Sequence, residues 1–178
     1  MKQINAEFGV DTANSLLKLI NSHSAIDLTA GWTRFPIPVQ VADLVARELR
    51  QTHGRAPIEG TLELRKHVSE YIQKKYFRTY HPAAEIAITS GAAQAIFSAV
   101  AALVSDGDEV IIFEPTRNDT ALAIEVCGAR PVYLKLHEDN AGIDWHEVQK
   151  SVTPRTKLII ISSPNSLTGS ILSPDDME

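Results

Sequence analysis

The residues with the clearest chemical potential are Ser-Gly-Ala-Ala-Gln at positions 90–94, between a short apolar segment and a strongly apolar helical pattern. Where a strand meets a helix through glycine, the first N–H groups of the helix lack intrahelical partners and point forward. The helix dipole adds partial positive charge there, and the two effects together favour an anion, most often phosphate. The same residues also fit an ordinary turn that needs glycine only for its geometry. Both interpretations stay open on this stretch alone.

Alternating strands and helices must position this turn. We predict strands at 86–89, 109–113, 131–136 and 156–162. We predict helices at 91–104, from 117 or 118 to 127, and at 144–151. The runs V-I-I-F and L-I-I-I are apolar at every position, which is typical of strands buried on both faces of a parallel sheet. Repeated strand–helix units predict an α/β layered fold with right-handed crossovers.

The pattern before residue 86 is mainly helical. We predict helices at 12–21, 39–52 and 62–77 and a short strand at 26–28, followed by a proline-rich loop at 33–38. The helical predictions rest on apolar residues that recur on one helix face. The loop is predicted because each proline pushes the residue before it out of the helical region.

Composition excludes several classes of function. The chain has 178 residues, 44% of them hydrophobic, and a net charge of −5, which argues against a broad nucleic-acid surface. No apolar run approaches the ~20 residues of a membrane span, and the first residues lack a signal-peptide core. The single cysteine, Cys127, predicts a small buried apolar side chain and fits a reducing cytoplasm. The six histidines show no metal-ligand spacing, so we predict no metal site.

Polar and turn residues follow three of the predicted strands, at 90–91, 114–117 and 163–169. Ligands of parallel sheets bind beyond the carboxyl ends of the strands. We therefore predict one ligand site along this edge of the sheet, with a phosphate at 91–94.

Five ordered segments carry a family resemblance. They are I-D-L-T-A-G-W at 26–32, R-A-P-I-E-G-T-L-E-L-R at 55–65, I-T-S-G-A-A-Q-A-I at 88–96, G-D-E-V-I-I-F-E-P at 107–115 and S-P-N-S-L-T-G at 163–169. The chain resembles the N-terminal half of class I/II aminotransferases, the pyridoxal-phosphate enzymes of fold type I, and most of all their methionine and kynurenine aminotransferase branch. The resemblance implies the N-terminal part of the fold type I large domain, a mostly parallel sheet with flanking helices, preceded by a helical N-terminal segment. It divides the chain into an arm and small-domain-like segment at 1–38 and a partial cofactor-binding large domain at 39–178.

The resemblance also implies roles for single residues. The Gly91-Ala92-Ala93-Gln94 turn is similar to the one that holds the phosphate of pyridoxal 5'-phosphate. Gly31 lies where family members present backbone to the substrate carboxylate, and Trp32 lies at the wall of the substrate pocket.

Three cofactor positions depart from the family pattern. Arg117 stands where an aromatic residue stacks on the pyridine ring. Ser166 stands where an asparagine bonds the phenolic oxygen of the cofactor, and Asn165 precedes it. Arg55 stands where a tyrosine reaches the phosphate of a partner subunit, and arginine can hold a phosphate bidentately.

The resemblance places the family's cofactor-linked lysine, its pyridine-pairing aspartate and its carboxylate-binding arginine beyond residue 178. We therefore assign no catalytic residue and expect a truncated chain that is inactive alone, because the covalent chemistry needs that lysine. With the missing half supplied, the implied activity is amino-group transfer between an amino acid and a 2-oxo acid. An open sheet edge would favour a homodimer or a partner chain.

Two alternatives remain. One is a non-catalytic remnant that binds phosphate or pyridoxal phosphate, or a regulatory partner of a complete homologue, which the altered cofactor positions favour. The other is an unrelated α/β nucleotide binder. Against the nucleotide binder, neither G-x-G-x-x-G nor the P-loop pattern follows any predicted strand.

Overall fold

The computed structural model of the chain describes Lys18 and residues 35–51, 54–137, 139 and 141–178. Two compact units are distinguished, residues 1–54 and 55–178. The predicted strand at 26–28, together with Gly31 and Trp32, lies outside the described residues, as does the predicted helix at 12–21 except for the helical Lys18. The domain boundary after residue 38 stays a prediction.

In the first unit, helix α1 spans Val39–Glu48, four residues shorter than the predicted 39–52. The chain leaves the helix through the tighter bonds from Arg50 N–H to the Arg47 carbonyl and from Gln51 N–H to the Glu48 carbonyl. Such bonds between residues three apart commonly close a helix. The predicted apolar face of α1 is largely exposed.

The second unit alternates helices and strands, as predicted. Its helices are α2 (Leu62–Tyr76), α3 (Gly91–Leu103), α4 (Asn118–Val126) and α5 (Trp145–Ser151), its strands are β1 (Glu109–Glu114), β2 (Arg130–Lys135) and β3 (Thr156–Ile160), and a 3-10 turn follows at Asp175–Met177. The strands form a parallel sheet in the order β2-β1-β3. This confirms the predicted α/β class. None of the helices described is long and apolar enough to cross a membrane.

Strand β1 lies at the centre of the sheet, and its residues from Glu109 to Phe113 are buried. Alternate side chains of β1 enter two apolar clusters, because successive residues of a strand point to opposite faces. One cluster joins β1 to α3 and α4 through Val100, Val110, Ile112, Ile124 and Ala129. The other joins it to β2 and α5 through Ile111, Phe113, Leu134, Ile143 and Val148. Cys127 is half-buried against the first cluster, in line with its predicted apolar role.

Two strand predictions are wrong in detail. Residues 86–89 do not form a strand, since within the described chain they join no ladder and Ile88 N–H bonds instead to the carbonyl of Glu59. Strand β3 ends at Ile160 rather than at 162, and Ile159 and Ile161 remain 41% and 39% exposed. Leu158 and Ile160 pack against the first cluster while Ile159 stays exposed, so the L-I-I-I run is covered on one face only. Strand β3 is also an edge strand of the described sheet.

Candidate functional site

The N-terminus of α3 has the features of an anion site. Gly91 has a φ of +83°, a left-handed conformation that glycine adopts without a steric penalty. The side chain of the N-cap residue Ser90 makes no capping hydrogen bond, and no acidic residue lies in the first turn of the helix. In the described part of the chain, no partner is recorded for the N–H groups of Ala92 and Ala93. A Cβ atom added at Gly91 would meet no atom within 4 Å, so the space in front of the turn is open.

The side chain of Gln94 stabilises this turn by bonding to its backbone. The carboxamide oxygen of Gln94 accepts a hydrogen bond from the N–H of Ser90. The N–H of Gly91 donates to the carbonyl of Thr89 at 2.9 Å. The N–H groups of Ser90 and Gly91 are thus bonded within the turn, and the N–H groups of Ala92 and Ala93 remain for a ligand.

A cavity of about 200 Å³ lies beyond the carboxyl ends of β1 and β3. Apolar residues such as Phe113 and Ile160 line it, together with several polar residues. It brings together three of the predicted cofactor residues, Arg117, Asn165 and Ser166. The residues of the α3 turn do not line it.

Arg117 is engaged by a neighbour in sequence. Its guanidinium donates to both carboxylate oxygens of Asp119, with Nη2–Oδ2 at 2.6 Å and Nε–Oδ1 at 3.1 Å. The hydrogen bond from Arg117 lowers the pKa of the Asp119 carboxyl, and the same bond raises the pKa of Arg117. The positive charge at the predicted ring-stacking position is therefore balanced locally.

Asn165 is engaged within its own loop. Its side-chain oxygen accepts from the N–H groups of Leu167 at 2.8 Å and Thr168 at 3.1 Å, an arrangement typical of an asparagine that organises a turn. Its amide nitrogen lies 3.5 Å from the carbonyl of Pro115 and connects the two loops that follow β1 and β3. Ser166 lines the cavity without such a role in the loop's recorded hydrogen bonds.

No contact among the described residues supports a role for the remaining predicted residues, Arg55, Gly31 and Trp32. Arg55 is exposed, and within the described chain it has no recorded hydrogen bond or ion pair. Gly31 and Trp32 lie outside the described residues. Their predicted roles stay predictions.

Sequence reasoning missed Asp119, and it missed Thr120, which lines the cavity together with Arg117. A signal for Asp119 is present, because an acidic residue in the first turn of a helix, two positions after an arginine, can pair with that arginine. For Thr120 the sequence carries no comparable signal, whereas Thr116 lies in the predicted segment 114–117 and also lines the cavity.

Comparison with known proteins gives a consistent picture. The family described as aminotransferase class I and II matches residues 24–178. The chain is 29% identical to the methionine aminotransferase of Escherichia coli over 93% of its own length and 43% of that protein. It is 30% identical to a probable N-acetyl-LL-diaminopimelate aminotransferase of Bacillus subtilis, over 97% and 44% of the two chains. The chain therefore spans less than half the length of these curated relatives.

Solved structures agree with these relatives. A crystal structure of an Escherichia coli protein with a methionine aminotransferase function matches with a TM-score of 0.88 and 28% identity, over 92% of this chain and 44% of that one. An aspartate aminotransferase double mutant from Thermus thermophilus matches with a TM-score of 0.86 and 27% identity, over 98% and 47%.

Proposed function

Because the chain belongs to the class I and II aminotransferase family, we propose that it takes part in amino-group transfer between an amino acid and a 2-oxo acid, with pyridoxal phosphate as cofactor. The observation that carries the proposal is the open N-terminus of α3, where Gly91 leaves the approach free and the Ser90 side chain makes no capping bond. It occurs in the segment whose counterpart in the family holds the cofactor phosphate.

The residues present fit the phosphate end of this cofactor. The N–H groups of Ala92 and Ala93 would bind the phosphate oxygens, and the dipole of the 13-residue α3 would add to the attraction. Gly91 leaves the approach open, since a Cβ there would touch nothing.

The ring end fits less closely. Arg117 and Ser166 line the cavity in place of the family's aromatic residue and asparagine. A planar guanidinium can stack on an aromatic ring, and a hydroxyl can bond a phenolic oxygen. When bound, pyridoxal phosphate supplies an aldehyde that accepts the amino group and a ring that withdraws electrons. This chain's own residues would bind and orient that group.

We assign the covalent step to polypeptide other than residues 1–178. None of the lysines here stands where the family's cofactor-linked lysine would be expected, and Lys135 and Lys157 are strand residues. The reaction would therefore need that lysine, and the family's aspartate and arginine, from a continuation of the chain or from a partner.

The first test is titration of the purified chain with pyridoxal phosphate, followed by absorbance and thermal shift, with inorganic phosphate in parallel. The decisive variant is Ala92→Asp. An acidic residue in the first turn stabilises the helix itself, but it would occupy and repel the phosphate site, so we expect binding at least about tenfold weaker without loss of stability.

Ser98→Asp is the matched control, because it adds the same charge to an exposed position in the middle of α3. We expect it to bind like the wild type. Equal binding by Ala92→Asp and the wild type, or no saturable binding of either ligand by the wild type, would contradict the proposed cofactor site.

A non-catalytic binding protein is the second candidate. It is favoured by the engagement of Arg117 with Asp119 and of the Asn165 side-chain oxygen with its own loop. The two candidates separate when the chain is incubated with pyridoxal phosphate, an amino acid and a 2-oxo acid, with and without the C-terminal half of a relative. Amino transfer only in the complemented mixture supports the enzyme, and saturable cofactor binding without transfer in either mixture supports the binding protein.

Assembly with further polypeptide is part of the same proposal. Strand β3 lies at an edge of the described sheet, and an open strand edge favours pairing with another chain. Ile159 in β3 and Ile161 just after it are also partly exposed. We expect a homodimer or a complex with a partner, and a concentration-independent monomer in sedimentation would count against both. A cytoplasmic location stays a prediction from cysteine usage.

A further inference from the structure

The segment at 86–90 presents Gly91 to solvent, yet in the described chain no neighbouring strand holds it. A segment outside a ladder needs other bonds to fix its position, because ordering its backbone costs conformational entropy. The placement of the α3 turn therefore depends on contacts from elements other than the sheet.

Helix α2 supplies the first of these contacts. Nη1 of Arg65 donates to the carbonyls of Pro82 and Ala83 at 3.1 Å and 3.2 Å. One turn further along α2, the hydroxyl of Ser69 donates to the carbonyl of Tyr80 at 2.6 Å. The chain that leads into 86–90 is thus fixed to one helix face.

The loop before α2 supplies the second. Ile88 N–H donates to the carbonyl of Glu59 at 2.9 Å. The backbone of Gly60 approaches so closely that a Cβ there would lie 2.5 Å from Cγ1 of Ile88. The same loop is joined to Arg65, whose Nη2 lies 3.5 Å from Oε1 of Glu59.

Arg65 is the residue common to both sets of contacts. Its side chain is 7% exposed, which is unusual for arginine, and its buried Nε has no recorded hydrogen-bond partner. Buried charges are costly unless paired, and here the pairing is with main-chain carbonyls and one long contact to a half-exposed carboxylate.

We infer that Arg65 is a positioning residue for the phosphate site. By holding the turn at 82–83, it places the segment at 86–90 and so sets where the N–H groups at the start of α3 point. The inference rests on the proposed function for the ligand, and on the hydrogen bonds alone for the positioning.

The bonds to the carbonyls carry this role, and the ion pair contributes little. The contact between Arg65 and Glu59 is long, and the carboxylate is 52% exposed, so solvent screens it. The two carbonyls, by contrast, belong to consecutive residues and both accept from Nη1 of Arg65. A lysine side chain is one bond shorter than the path to Nη1, so its ammonium does not reach the same place.

Amide hydrogen exchange at Ile88, together with inorganic phosphate affinity, tests the inference on the full chain. In Arg65→Lys we expect exchange at Ile88 about tenfold faster and phosphate binding about tenfold weaker, with the amides of β1 unchanged. Glu59→Gln removes the ion pair but keeps the main-chain acceptor, and Arg130→Lys makes the same replacement at an exposed position on β2. Both variants should match the wild type in amide exchange at Ile88 and in phosphate affinity.

The outcomes separate the two proposals. Wild-type exchange at Ile88 in Arg65→Lys, faster exchange spread equally over β1, or unchanged phosphate affinity despite local loosening would each overturn the positioning role. A wild-type chain that does not bind phosphate would overturn the proposed function, while exchange at Ile88 would still decide what Arg65 holds. Should Arg65→Lys not fold, Ser69→Ala removes the milder anchor, and we expect about threefold faster exchange at Ile88.

Discussion

Nη2 of Arg117 lies 2.6 Å from Oδ2 of Asp119, so the cation that faces the cavity is already paired within its own helix start. The pair spans only two residues, and the Arg117 side chain remains 59% exposed. An incoming anion or pyridinium ring would therefore meet a neutral pair rather than a free guanidinium. The charge of the site is set by Asp119 as much as by Arg117.

Asp119→Asn should remove the carboxylate charge that neutralises the guanidinium of Arg117. We expect pyridoxal phosphate to bind about two- to fivefold more tightly at low ionic strength, with the gain shrinking at high salt because exposed charges are screened. Titrations at two salt concentrations measure this. The double variant Asp119→Asn/Arg117→Gln should lose the gain, and an unchanged affinity in Asp119→Asn would show that Arg117 does not face the ligand.

Ser166→Asn should restore one cofactor contact of the family pattern. Ser166 lines the same cavity as Arg117, and a carboxamide there could donate to the phenolic oxygen of the cofactor. One additional hydrogen bond contributes about 0.5–1.5 kcal/mol, so pyridoxal phosphate should bind about two- to tenfold more tightly. Affinity for inorganic phosphate, which has no ring, should not change, and a parallel gain for both ligands would argue against this position.

The contrast between β1 and residues 86–89 shows how far the sequence predicts the fold. Both segments are apolar and bounded by turn residues, and the run at β1 correctly predicts a central strand because an apolar residue at every position needs cover on both faces. Whether 86–89 is a strand depends on a partner strand, and no local pattern specifies that partner. The exposure of β3 is unpredictable for a related reason, because its L-I-I-I run does not specify what covers each face of the strand.

The site follows the same rule. The open turn at Gly91 is predictable because it depends on local residue types. The bonds from Leu167 and Thr168 to the Asn165 side-chain oxygen are equally local. The family pattern, however, predicts a ligand role for Asn165. The contacts of Arg65 with residues 17 and 18 positions away have no local signature.

Gly60→Ala should destabilise the chain more than an otherwise similar glycine replacement. Gly60 has a φ of +87°, and a Cβ there would lie 2.5 Å from Ile88, so the segment before α3 must move. Gly107→Ala is the control, because its φ is +83° and its Cβ would meet nothing within 4 Å. We expect urea denaturation to show about 1–3 kcal/mol more destabilisation for Gly60→Ala. Equal decreases in the free energy of unfolding for the two variants would mean that Ile88 moves away from the new Cβ at no measurable cost.

Glu109 should make the stability of the sheet depend on pH. It is buried at the start of β1, where the hydroxyl of Thr153 donates to Oε2 at 2.7 Å and Nη2 of Arg155 lies 2.9 Å from Oε1. The bond from Thr153, followed by the charge of Arg155, lowers the pKa of the Glu109 carboxyl against the opposing effect of burial. The folded state therefore binds fewer protons than the unfolded state between the two pKa values.

This difference in bound protons means that the free energy of unfolding falls as the pH falls through this range. The stabilisation from Glu109 is complete above its ordinary unfolded pKa, about 4.3, and is lost as the pH falls through that value toward the lower folded pKa. Urea denaturation from pH 7 to pH 3 should show a steeper acid loss in the wild type than in Glu109→Gln, which cannot titrate. Thr153→Val should flatten the profile in part, while Thr153→Ser, which keeps the donating hydroxyl, should follow the wild type. A Glu109→Gln profile parallel to the wild type would mean that other carboxylates account for the acid loss.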